Sequence, residues 1–158
     1  MTPRRLGLIA TLTSLALDQA SKAAVLAALP PQEAGRAWLT PFLDLTLQFN
    51  RGISFSLFRQ DTAQGRAALI LITLAVTAVL AVWMWRTRTP LSAAGLGAIV
   101  GGAIGNGLDR LVHGAVVDFL ALHAFGYEFF VFNIADAAIN LGVAALIIDA
   151  LFFDREAS

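Results

Sequence analysis

The chain has no cysteine. That absence removes disulfides, thiolate nucleophiles and cysteine metal sites together. Histidine is almost as scarce: His113 and His123 are the whole supply, and they lack the HExxH spacing of a zinc protease. No metal or other cofactor is therefore expected. Charge is thin as well. Charged residues make up 14% of the 158, where a soluble domain carries about 25%. Acidic and basic residues balance at 11 each, so no net field draws in nucleic acid. No internal repeat or low-complexity segment is evident. What the chain has in excess is apolar surface, at 58% of its residues.

That excess is concentrated in four stretches, at about 6–29, 67–85, 91–110 and 134–153. A spanning helix needs roughly 20 apolar residues, and each stretch qualifies by length. The first is interrupted by Asp18 and Lys22, and the second has no charge. The third has only Ser92 and Asn106 as strongly polar residues up to Leu108, and the fourth carries Asp136, Asn140 and Asp149. Arg4 and Arg5 before the first stretch resemble the start of a signal peptide. An ordinary signal segment is short and uncharged, though, and this one runs on through Asp18 and Lys22. The expectation is a single, uncleaved integral membrane domain. It is an all-α membrane protein of four transmembrane helices, with a small β-sheet and a short helix in its outer loops.

Orientation follows from the arginines. Arg4 and Arg5, Arg86 and Arg88, and Arg155 occupy ends that must lie on one side, which the positive-inside rule makes the cytoplasm. Arg36, Arg51, Arg59 and Arg66 in the long first loop weaken the bias but are spread over more residues. Trp83 and Trp85 beside Arg86 fit an interfacial aromatic belt. In the outer loops, Leu43, Leu45, Leu47 and Phe49 alternate with Asp44, Thr46, Gln48 and Asn50, the period of a half-buried strand. Residues 115–120 and 129–132 are further strand candidates, giving a small sheet that rests on the bilayer. Gly97, Gly101 and Gly105 share one helix face, a seam for close helix packing.

With the N-terminus inside, Asp18 lies roughly 18 Å along its helix from Leu6, in the outer half of the core. Lys22 is one turn further on the same face. Asn106, Asp109 and Arg110 close the third stretch, Asn133 and Asp136 open the fourth, and Asn50 and Asp118 belong to the outer loops. Separate segments thus deliver polar groups to one level, while Asp149 falls near the cytoplasmic end. Ionisable groups beside hydrocarbon are costly and mark function, although any one pair could be a structural ion pair or a solvated helix end. Two carboxylates brought together cannot both ionise easily, so one can act as acid and the other as base. Asp18 has Lys22 as a neutraliser and Asp109 has Arg110 beside it, so these two read as structural anions. Asp118 and Asp136 have no adjacent cation and are the better catalytic pair. A small transporter and a purely structural scaffold are the rival classes. Transporters place ionisable groups at the midplane between inverted repeats, and neither feature is visible in the sequence.

Five motifs in order resemble the lipoprotein signal peptidases, or type II signal peptidases, over nearly the whole chain. Asp18-Gln19-Ala20-Ser21-Lys22 is similar to D-Q-x-x-K, and Asn50-Arg51-Gly52-Ile53-Ser54-Phe55 to N-x-G-A-A-F. Residues 101–110 are similar to G-G-x-x-G-N-x-x-D-R. Val116-Val117-Asp118-Phe119 resembles V-V-D-F, and Phe132-Asn133-Ile134-Ala135-Asp136 resembles F-N-x-A-D. The resemblance implies a monomeric aspartic endopeptidase of the bacterial cytoplasmic membrane. It cuts the signal peptide from lipidated prolipoproteins just before the diacylglyceryl-modified cysteine, near the outer face. It implies Asp118 and Asp136 as the catalytic pair. Asp18, Lys22, Asn50, Gly52, Asn106, Asp109, Arg110 and Asn133 are then substrate-binding or supporting residues. Ile53 and Ser54 stand where the family usually has two alanines. A serine nucleophile at Ser54 with Lys22 as base is an alternative that no partner spacing supports; a changed pocket contact is the expected effect.

Overall fold

The computed structural model describes residues 1–29, 36–51 and 63–152. Four helices occupy the four apolar stretches: α1 (Pro3–Ala28), α2 (Ala63–Arg86), α3 (Pro90–Val112) and α4 (Ile134–Phe152). Between them run β1 (Ala37–Thr40), β2 (Leu43–Asn50), β3 (Val116–Ala124) and β4 (Tyr127–Phe132), an antiparallel sheet in the order β1-β2-β3-β4. Pro3 and Pro90 open α1 and α3, where a missing N–H costs nothing and the fixed φ suits the first turn. Among the described residues, three helices are long and apolar enough to cross a membrane: the segment Ala67–Arg86 of α2, α3 and α4. Together they make this a multi-pass membrane protein. α1 is long enough at 26 residues but carries Asp18 and Lys22, both buried. No short outer-loop helix occurs among the described residues, and Gly52, Ile53 and Ser54 lie outside them.

The glycines decide how the helices meet. α3 is the central helix, and a Cβ at Gly97 or Gly101 would collide with the α1 backbone at Gly7 or Thr11. The expected seam is therefore the contact with α1. A second seam uses Gly95 and Gly102, seven residues apart and so also on one helix face. A Cβ at Gly95 would stand 2.8 Å from the Gly142 carbonyl, and one at Gly102 2.6 Å from the Ala135 carbonyl, both on α4. Without a hydrophobic driving force between helices in lipid, such close backbone approach is a main source of attraction.

The sheet sits over the end of the bundle where α1 ends and α4 begins. Leu47, Val117 and Phe119 pack on Val25 of α1, with Leu26, Leu29 and Ile134 around them. The alternation expected for residues 43–50 is broken, and the break matters. On β2 the pairing advances from Leu45↔Leu120 to Gln48↔Asp118, three residues against two on β3. The extra residue is a bulge, and a bulge switches which face later side chains occupy. Unbroken register would set Leu47 opposite Asp118 and Phe49 diagonal to it; with the bulge those places go to Gln48 and Asn50. Gly114, at φ 70°, follows the α3 cap residue His113. This left-handed position ends the helix and turns the chain straight into β3.

Candidate active site

Two linked clusters fill the space where α1, α3, β3 and the start of α4 converge. The first is centred on Lys22. Its Nζ lies 2.7 Å from Asp18 Oδ2 and 2.7 Å from Asp109 Oδ2, and donates to Asn106 Oδ1 at 3.0 Å. An ammonium has three N–H bonds, so this one is fully occupied. Lys22 is 2% exposed and Asp18 is 0% exposed, so neither charge could remain without the other. Held this way, Lys22 is committed to Asp18, Asp109 and Asn106. The two anions also tie the backbone together. Asp18 Oδ1 accepts from the N–H of Ala135 at 2.9 Å, and Asp109 Oδ2 from the N–H of Val117 at 3.0 Å.

Here the expected partner of Asp109 was wrong. Successive residues on a helix do not face each other, so Arg110 cannot neutralise Asp109; Lys22 does so from α1. Arg110 Nη1 instead donates to the Asn106 carbonyl at 3.1 Å. Its guanidinium lies within electrostatic reach of Asp136, Asp109 and Asp118. Arg110 Nε is buried and has no hydrogen-bond partner among the described residues.

The second cluster contains the other two carboxylates, and Asn133 organises it. Asn133 is the residue before α4, and with Asp136 it forms a capping box. Asn133 Oδ1 accepts from the N–H of Asp136 at 2.9 Å, and the N–H of Asn133 donates to Asp136 Oδ2 at 3.3 Å. The F-N-x-A-D motif is thus a helix start, with Asp136 in the first turn at the positive end of the helix dipole. The same Asn133 amide reaches across to β3, where Nδ2 donates to Asp118 Oδ1 at 2.6 Å. Asn106 Nδ2 donates to Asp136 Oδ1 at 2.9 Å, and Asn50 Nδ2 to Asp118 Oδ2 at 2.9 Å. The Asn106 amide can point only one way. Its oxygen takes Lys22 Nζ and, at 3.1 Å, Asn133 Nδ2, which leaves its nitrogen for Asp136. Through that amide the Lys22 cluster sets the geometry of the second pair.

Asp118 is 2% exposed. Burial pushes its carboxyl up from 3.8 to about 6, the charge of Asp136 adds to the rise, and the amides of Asn50 and Asn133 oppose it. Desolvation thus outweighs hydrogen bonds that favour the anion. A carboxyl poised near neutrality beside a second carboxyl can exchange a proton with a reacting group. No group of three or more potential metal ligands occurs among the described residues.

Of the residues singled out from the sequence, the structure brings Asp18, Lys22, Asn50, Asn106, Asp109, Arg110, Asp118, Asn133 and Asp136 to this one place; Gly52 lies outside the described residues. Asp149 stands apart, accepting from Thr89 and Ser92 at the start of α3. Two contributors went unnoticed. Gln19 Nε2 donates to Asp18 Oδ2 at 3.1 Å and to Asp109 Oδ1 at 3.2 Å, bridging the anions. Gly105 leaves room for the Asp18 carboxylate, into which a Cβ would run. Their signal was present, since both lie inside the quoted motifs.

A multi-pass membrane enzyme is the class that this bundle and buried polar site define. A solved structure described as a bacterial membrane enzyme, determined by the in meso method at 1.9 Å resolution, is similar with a TM-score of 0.80 and 26% identity. It covers 94% of this chain and 93% of that one. Residues 10–152 match signal peptidase (SPase) II. The lipoprotein signal peptidase of Methylorubrum extorquens (strain PA1) is 48% identical across 96% of this chain and 88% of its own length. That of Beijerinckia indica subsp. indica is 45% identical across 99% and 93%. The chain belongs to the signal peptidase II family, and its chemistry is peptide-bond hydrolysis.

Proposed function

We propose that this chain removes the signal peptide from diacylglyceryl-modified prolipoproteins, cutting just before the lipid-modified cysteine, with Asp118 and Asp136 as an aspartic catalytic pair. The observation that carries the reading is the division of four carboxylates into two kinds. Asp18 and Asp109 are consumed by Lys22 and by backbone N–H groups. Asp118 and Asp136 are joined through Asn133 and meet no ammonium directly.

In the reaction, Asp136 takes a proton from water and the hydroxyl attacks the scissile carbonyl carbon. Asp118, the carboxyl raised to about 6, delivers its proton to the carbonyl oxygen. In the second half Asp118 recovers that proton and Asp136 passes its own to the leaving nitrogen as the C–N bond breaks. Arg110 Nε, a buried donor left open, is suited to a main-chain carbonyl of the substrate, since an unmade bond there costs about 1–3 kcal/mol.

α1 is read as a fourth span. Its ion pair faces inward, while Leu8, Ile9, Leu12 and Leu17 remain exposed, as a lipid-facing stripe would. Arg4 and Arg5 at the start of α1 and Arg86 and Arg88 at the end of α2 lie at one end of the bundle, which the positive-inside rule assigns to the cytoplasm. The site then lies near the outer face of the bacterial inner membrane. Purified protein is expected to process a diacylated precursor and to leave the unlipidated one intact, with no effect of EDTA. Loss in EDTA with rescue by a divalent ion would replace this mechanism by a metal-dependent one. Ion or solute flux in proteoliposomes without processing would replace it by transport.

A further inference from the structure

At the opposite end of the bundle from the proposed catalytic pair, a second polar feature remains that peptide hydrolysis does not use. The start of α1 and the turn between α2 and α3 enclose a cleft of ≈ 610 Å³, lined by Pro3, Arg4, Trp85, Arg86, Thr87 and Arg88, with Thr2 at its rim. Three of its residues are arginines and none is acidic. Arg4 is held in place. Its guanidinium lies 5.2 Å from the Trp85 ring centroid, and its Nε donates to the Trp85 carbonyl at 3.1 Å. No ion pair involves Arg4, Arg86 or Arg88 among the described residues, whereas Lys22 at the other end is doubly paired. An adjoining groove shares Trp85 and Arg86 and continues along the apolar sides of α1 and α2 past Leu8, Ala81, Val82 and Met84.

A cationic cleft that opens into an apolar groove on a membrane-facing surface has the form of a phospholipid. The guanidinium groups match the phosphodiester, for which arginine offers forked donors. The groove matches the first carbons of an acyl chain. The aromatic ring between them matches the glycerol level, where tryptophan concentrates. Arginines serving only as solvated topology signals would need neither the stacked Arg4 nor the continuous groove. We propose that this cleft is a binding site for one anionic phospholipid. On the orientation argued above, the lipid belongs to the cytoplasmic leaflet, but the site itself does not depend on the catalytic reading. Basic pockets between transmembrane helices recognise lipid head groups in this way.

The test is native mass spectrometry of the full-length protein released from neutral detergent, titrated with dioleoyl-phosphatidylglycerol or dioleoyl-phosphatidylcholine. The expected result is one retained phosphatidylglycerol, bound at least about tenfold more tightly than phosphatidylcholine. Arg4→Gln/Arg86→Gln/Arg88→Gln is expected to erase that preference. Arg5→Gln, a neighbouring exposed arginine outside the cleft, is expected to keep it. Val82→Trp, which fills the groove without touching charge, is expected to weaken phosphatidylglycerol severalfold. Equal retention of both lipids would overturn the proposal, as would equal loss in Arg5→Gln. Displacement of the lipid by glycerol 3-phosphate alone would overturn it in favour of a soluble phosphate ester. Precursor cleavage measured on the same samples separates this outcome from the proposed function, since either can fail alone.

Discussion

Replacing Lys22 by Met keeps most of the length and volume of the side chain and removes its ammonium group. In the protein that charge lies 2.7 Å from each of two carboxylates whose side chains are 0% and 3% exposed. Removing one partner of a buried ion pair costs about 3–5 kcal/mol, because the other charge is left in a medium that cannot solvate it. Here two anions would be left facing each other. The surviving acceptor bonds from Ala135 and Val117 hold them in place and prevent them from turning to water. At roughly 2–4 °C per kcal/mol for a chain of this size, the loss corresponds to a fall in Tm of about 10 °C or more. The assay is thermal unfolding in detergent micelles at neutral pH. The argument makes a second, sharper demand. Asp18→Asn/Lys22→Met/Asp109→Asn leaves no charge, and the Asn carbonyl oxygens still accept from the same backbone N–H groups. That triple variant should recover most of the loss. A Lys22→Met protein as stable as the parent, or a triple variant no better than the single one, would refute the account of this cluster.

Other expectations follow from the same geometry. Gly105→Ala would drive a Cβ into the Asp18 carboxylate, whereas a Cβ at Gly107 meets only Thr73 Cγ2, at 4.0 Å. Gly105→Ala should lower Tm by several degrees and Gly107→Ala should leave it unchanged. Asn133→Ala removes the cap of α4 and the link between Asp118 and Asp136. A stability loss of about 1 kcal/mol is expected from the cap, with a fall in kcat on the order of 10²–10³ from the disordered pair. The raised carboxyl of Asp118 fixes a pH dependence. Its neutral form is favoured in the folded protein, so its contribution to stability is full below 3.8 and is lost as pH rises through about 6. The loss should be on the order of 1–2 kcal/mol once solvent screening is allowed for. It should shrink in Asp136→Asn, where the neighbouring charge is gone. Activity should decline as pH rises through about 6, because Asp118 then no longer holds the proton the carbonyl oxygen needs.

Much of this was legible in the sequence because hydrophobic pattern governs it. The four apolar stretches gave the helix positions to within a few residues, and the alternation after Leu43 marked β2. The bulge between Leu45 and Gln48 was not legible, since alternation of residue type carries no record of register. It is this bulge that brings Asn50, rather than Phe49, beside Asp118. β1 escaped notice because Ala37–Thr40 is short and mostly exposed, with no alternation to read. Spacing showed the Gly97, Gly101 and Gly105 seam; the seven-residue interval from Gly95 to Gly102 marks a second face, against α4, that went unread. At the site, one-dimensional adjacency misled in a single instance. Arg110 stands next to Asp109 in sequence, but a helix turns about 100° per residue and sends the two side chains apart. The capping box formed by Asn133 and Asp136 was visible as a motif, yet its second role needed the fold: the same asparagine also holds a carboxylate on β3.

The central claim is that Asp118 and Asp136 act as a pair on the peptide bond, and one measurement bears on it most directly. Single-turnover cleavage of a diacylated precursor by purified Asp136→Asn protein, with folding verified by an unfolding temperature near the parent's, isolates the chemical step from binding. The isosteric amide keeps one of the two accepted bonds, from Asn106 Nδ2 or from the Asn133 N–H, but cannot take a proton from water. The predicted result is a rate at least about 10³-fold below the parent. A folded Asp136→Asn protein that cleaves within a few-fold of the parent rate would contradict the account.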